Sequence, residues 1–60
     1  MARTLADHNC AVEVTRPDGT TENFDRAHRK VIVEDSGRVT IERIGGNITV
    51  VPPDCKVVVK

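Results

Sequence analysis

From Cys10 onward the side chains alternate. Cys10, Val12 and Val14 fall on one face and Ala11, Glu13 and Thr15 on the other, the period of two that a half-buried strand requires. Pro17-Asp18-Gly19 follows and sets a turn, proline presetting φ at its first corner and glycine accepting a positive φ at its close. The pattern resumes weakly over residues 20–25. Asp25-Arg26-Ala27-His28 is polar, has a capping residue in Asp25 and is too short for more than one helical turn, so it reads as a loop. A third strand is predicted over residues 29–35 around Val31-Ile32-Val33, closed by the tight turn Asp35-Ser36-Gly37.

Residues 38–44 make a fourth strand. Gly45-Gly46 is read as a two-residue hairpin, because both glycines tolerate the positive φ of the primed turns. Residues 47–51 form a fifth strand. Pro52-Pro53-Asp54 forbids continued pairing, since proline offers no backbone donor, and residues 56–60 make a sixth. The fold class is therefore all-β: a single small domain, an antiparallel meander of about six short strands over residues 10–60, preceded by a tail or short turn at residues 1–9.

Two endings are open. The first and last strands pair and close a small SH3-like barrel, or both remain edges that invite strand addition. The expected inward set is Val12, Val14, Phe24, Val31, Val33, Val39, Ile41, Ile48, Val50, Val57 and Val59. Ile32, Ile44, Val51 and Val58 are left pointing the other way and become the candidate interface.

Composition sharpens this picture. Ten valines and four isoleucines favour pleated sheet, but Phe24 is the sole aromatic residue. A 60-residue chain buries only ~60% of its unfolded surface. A core this thin calls for self-association, so a homo-oligomer is expected. No apolar run suits a signal peptide or a membrane span, which leads to the expectation of a cytoplasmic protein.

Nine basic residues balance nine acidic ones, which removes the overall positive field of a typical nucleic-acid binder. Charge position still matters. Arg26, His28, Arg29 and Lys30 form one basic cluster. In a meander they share an end with Arg3, His8, Arg43 and Lys60, opposite the turn residues Asp18, Asp35 and Asp54. That basic loop is the candidate anion or nucleic-acid site, although no aromatic platform exists for stacking bases.

His8, Cys10, His28 and Cys55 are ligand types for zinc, but no Cys-x-x-Cys or His-x-x-x-His knuckle joins them. Cys10 and Cys55 should lie at opposite ends of the sheet, too far apart for a disulfide, and are read as free thiols. Neither metal nor cofactor is expected. Ser36, the only serine, sits in a turn away from both histidines, so no nucleophilic constellation forms and no enzyme is read.

The stretch Val12-Glu13-Val14-Thr15-Arg16-Pro17-Asp18-Gly19-Thr20, followed by Val31-Ile32-Val33-Glu34-Asp35-Ser36-Gly37, resembles the small β-meander proteins of actinobacterial phages. The resemblance implies an accessory role, binding a host or phage protein in the cytoplasm of a bacterium or phage-infected cell. It transfers no site residue.

Overall fold

Two hairpins with the same hydrogen-bond signature organise the chain. In the first, Arg16 N donates to Thr20 O and Gly19 N to Arg16 O; in the second, Glu34 N donates to Arg38 O and Gly37 N to Glu34 O. Each ends on a glycine in the left-handed region, φ +92° at Gly19 and +91° at Gly37, the three-residue loop that closes on a bulge. Side chains reinforce both turns. The Thr20 amide (3.0 Å) and hydroxyl (2.7 Å) donate to the Asp18 carboxylate, holding it below the usual carboxylate range. Arg38 forks onto Glu34 at 3.0 and 3.3 Å and Thr40 adds a third bond, lowering the Glu34 pKa likewise.

The computed structural model describes all 60 residues. It contains five strands and no helix: β1 (Arg3–Thr15), β2 (Thr21–Val33), β3 (Val39–Arg43), β4 (Ile48–Val51) and β5 (Lys56–Val59). They form one antiparallel sheet in the order β4-β3-β2-β1-β5. Strands predicted separately over 20–25 and 29–35 are one strand, β2. Residues 1–9, expected as a tail or short turn, enter β1 from Arg3. Neither extension is apolar; cross-strand pairing between the two halves of the ribbon, rather than local hydrophobicity, makes them strand.

The ribbon is bent. At ~3.3 Å per residue, the 13 residues of β1 would reach about 40 Å if straight, whereas the longest dimension of the molecule is 29 Å. The register jumps between Cys10 and Val12, where two residues of β2, Asp25 and Arg26, face one of β1, and again at Leu5. Such bulges bend and twist a strand. The expected polar loop is thus a bend within a continuous strand, and the bulge absorbs its polar residues without ending the ladder.

Bending brings both hairpins to one side. Val51 pairs with Val39 beside the second hairpin, and Lys56 pairs with Thr15 beside the first. Residues 52–55 join them in five Cα steps, at most ~19 Å. The core lies between the two halves: Ala6, Cys10, Val12, Val14, Val31, Val39, Ile41 and Val51 are buried, with Phe24, Val33, Cys55, Val57 and Val59 packed against them. The sheet does not close into a barrel. β5 pairs with β1, but β4 has no partner beyond β3, so the seam lies between β4 and β5.

One loop length corrects the core assignment. The third hairpin closes on Arg43 N donating to Asn47 O, leaving three residues in the loop, and only Gly45 has positive φ (+73°). The predicted Gly45-Gly46 two-residue loop would have set Ile41 opposite Val50. The longer loop sets Ile41 opposite Thr49 and Val39 opposite Val51. A one-residue slip exchanges the faces of a strand. Val51 is therefore core at 4% exposure, while Ile48 and Val50 are 61% and 54% exposed.

The hairpin glycines differ in their surroundings. A Cβ at Gly19 would meet nothing within 4 Å; one at Gly37 would lie 3.1 Å from the Cβ of Pro53. Gly19→Ala is expected to cost about 1 kcal/mol for left-handed backbone. Gly37→Ala should cost about 2 kcal/mol, the excess coming from overpacking. Urea denaturation of both variants measures the difference, and equal losses would show that the Pro53 contact carries no energy.

Candidate functional site

The expected interface residues do not assemble. Val51 is in the core. Ile44 is exposed in the third hairpin, while Ile32 and Val58 are half-buried on the outer face. Ile32 lies in register with Thr4, and Val58 with Glu13, nine positions apart along β1. A different apolar surface takes their place at β4.

The ladder alternation defines that surface. Because Arg43 and Asn47 exchange a hydrogen bond, the hydrogen-bonded pairs further along are Ile41–Thr49 and Val39–Val51, and the intervening residues Ile48 and Val50 are non-hydrogen-bonded. Their N–H and C=O groups therefore point away from β3, along the open seam. Their side chains, exposed on the outer face, continue the cross-strand row Val50–Thr40–Ile32. All four residues of β4 are β-branched and uncharged. Natural edges are commonly blunted by lysine, proline or a bulge, and β4 has none of these.

The basic cluster is divided. His28 turns outward to Asp7, Nε2 to Oδ1 3.3 Å. Lys30 pairs in register with Asp7 and Glu42, on the face opposite Val31. Arg26 donates to the carbonyls of Asn9 and Lys60 at 3.3 Å each, binding the bend to the C-terminus. Arg29 alone turns inward. Its neighbours at this end include His8, its partner across β1, and Arg43, its partner across β3. Arg3, expected here, instead lies beside Val33 at the hairpin end.

Arg29 is 7% exposed, the one buried charged residue. Its Nε and Nη2 donate to the Asp25 carbonyl at 3.2 and 2.8 Å, and its Cζ stands 5.4 Å from the centroid of the Phe24 ring. Those contacts satisfy the bulge carbonyl and place a cation over a ring face. No carboxylate pairs with it. Four ion pairs join the α-ammonium of Met1 with Asp35, Arg16 with Glu22, Arg38 with Glu34, and Lys60 with Glu13, and the His28 ring contacts Asp7.

Arg29 and Arg43 line a pocket of about 260 Å³ with Phe24, Gly46, Asn47 and Thr49. It lies between the bend of β2 and the third hairpin. No acid lines it. The inward position of both arginines could have been found in the sequence: the alternation that turns Val31 and Val33 inward places Arg29 inward two residues earlier, and that of Val39 and Ile41 places Arg43 inward two residues later. Asn47 and Thr49 required the loop length.

Cys10 is a buried free thiol and Cys55 a half-buried one. Burial and the adjacent Asp54 carboxylate push the Cys55 thiol up, making it a poor nucleophile at neutral pH. No three His, Cys, Asp or Glu side chains converge to hold a metal ion, and no helix is long and apolar enough to cross a membrane. Comparison with protein-family models, with curated proteins and with solved structures found no match.

Proposed function

We propose that this chain is a small non-enzymatic protein-interaction module, an accessory protein of the cytoplasm that joins a partner by adding a strand at β4. The observation that carries the proposal is the free edge of Ile48 and Val50, where unpaired backbone groups and exposed aliphatic side chains lie on one uncharged strand. Strand addition draws affinity from the backbone and selectivity from alternate side chains. The resemblance to phage β-meander proteins accords with such a role.

A second copy is the first partner to test. An antiparallel β4–β4′ pair across a two-fold axis at Thr49 is self-complementary, joins two sheets into one and covers aliphatic surface that a thin core leaves outside. Val50→Pro removes an N–H that points away from β3, so the fold tolerates it, yet the edge is blocked. Two lost hydrogen bonds per symmetric dimer, at ~1 kcal/mol each, weaken association about thirtyfold. Native mass spectrometry at micromolar concentration should show a dimer for the parent chain and a monomer for the variant. A parent monomer would end the self-pairing reading, and an unchanged dimer in Val50→Pro would move the interface elsewhere.

A further inference from the structure

We propose that the pocket between the bend of β2 and the third hairpin is a binding site for a phosphate-type oxyanion, held between the guanidinium groups of Arg29 and Arg43. The site borders the β4 edge at Thr49, but its two arginines lie on β2 and β3, so it remains if strand addition fails.

The charges require an explanation that the fold does not supply. Glu34 N donating to Arg38 O and Ile44 N donating to His28 O set the alternation so that Arg29 and Arg43 are a non-hydrogen-bonded pair. In such a pair the side chains stand closest, on the same face, and like charges directly opposite destabilise a sheet. Burying a cation without a counter-charge adds a desolvation cost. Neither arginine joins an ion pair.

A structural role accounts for only part of Arg29. Its Nε and Nη2 hold the Asp25 carbonyl, which leaves Nη1 without a partner in the chain. No buried side-chain nitrogen or oxygen lacks a hydrogen bond, so Nη1 must keep a face open to solvent, and the space beside Arg29 is the pocket. A guanidinium pinned on one side presents its remaining donors at low entropic cost. Arg43 is led to the same place, since its stem lies over Gly46, where a Cβ would come within 3.2 Å of Cδ.

The chemistry selects the ligand. Two guanidinium forks with an amide and a hydroxyl donor nearby match an anion carrying several oxygens. At about 260 Å³ the pocket is smaller than sites for drug-sized ligands, and its charge favours a dianion. Inorganic phosphate and the terminal phosphate of a nucleoside monophosphate share this chemistry.

The test is a ¹⁵N NMR titration of the full chain with sodium phosphate at pH 7.5, against sodium chloride at matched ionic strength. Saturable shifts at Arg29, Arg43, Asn47 and Thr49 with phosphate alone are expected. Arg43→Gln, which keeps the fold because Arg43 is exposed, should weaken binding at least tenfold, and Arg43→Lys should fall between, keeping the charge but losing the fork. A nucleoside monophosphate binding more tightly than phosphate would identify a phosphorylated ligand; equal affinity would identify the free ion. Equal shifts with chloride, or an Arg43→Gln titration like that of the parent, would overturn the site. So would binding of a single-stranded oligonucleotide with no response to phosphate at these residues.

Discussion

Val51→Asp is expected to unfold the domain, and Val50→Asp, one residue earlier, to leave it folded. Val51 is 4% exposed, with its side chain in the core opposite Val39. An isolated carboxylate there lacks both a cation and a hydrogen-bond donor, and its desolvation costs several kcal/mol. Small domains have ~0.05–0.15 kcal/mol of stability per residue, so this single change approaches the whole stability of the chain. Val50 is 54% exposed, where substitutions usually stay within ~0.5 kcal/mol. Far-UV circular dichroism at 25 °C separates the two variants. The reverse outcome would restore the two-residue loop and the register in which Val50 meets Ile41.

Ile41→Ala should be nearly as damaging. Ile41 is 1% exposed and the largest of the fully buried side chains; it lies mid-sheet between Val31 of β2 and Thr49 of β4. Removing buried methylene groups costs their transfer energy and leaves a cavity, ~2–5 kcal/mol for isoleucine to alanine. The core is built from valines, alanine and a cysteine, branched or short side chains with little freedom to move into the space. Phe24, the one large ring, is committed to Arg29 at the pocket. Ile41→Val, losing a single methyl group, should cost ~0.5–1.5 kcal/mol and lower Tm by about 5 °C. Thermal melts of the pair would show the graded loss, and equal melting points would mean that β3 is not the centre of the core.

The interaction edge and the oxyanion pocket have one structural origin. Residues 52–55 cross between the hairpin ends instead of turning β5 back along β4, so the sheet rolls over its core without closing. The unclosed seam exposes backbone groups of Ile48 and Val50, and Thr49 between them lines the pocket together with Phe24. Their tests are separable, because Val50 does not line the pocket and Arg43 does not belong to the edge.

Local chemistry made the architecture legible. Proline, aspartate and glycine at 17–19 and glycine at 37 specify turns through backbone conformation, and the alternation of Val12 with Val14 and of Val39 with Ile41 assigns their inward faces. Both are short-range properties, so an all-β antiparallel sheet, a meander through its first four strands, followed from the sequence alone. Pairing between distant segments decided the rest. The tail became strand because residues 27–33 offered it a ladder, and the polar run at 25–28 became a bend because a bulge could hold it. One additional loop residue at Ile44 exchanged Val50 for Val51 in the core and thereby created the exposed edge. Register has a period of two, so a one-residue difference in a turn reverses every side chain beyond it. β4 carries aliphatic residues on both faces, so the alternation along Ile48–Val51 could not choose between the two loop lengths, and only the assembled sheet shows which face meets the core.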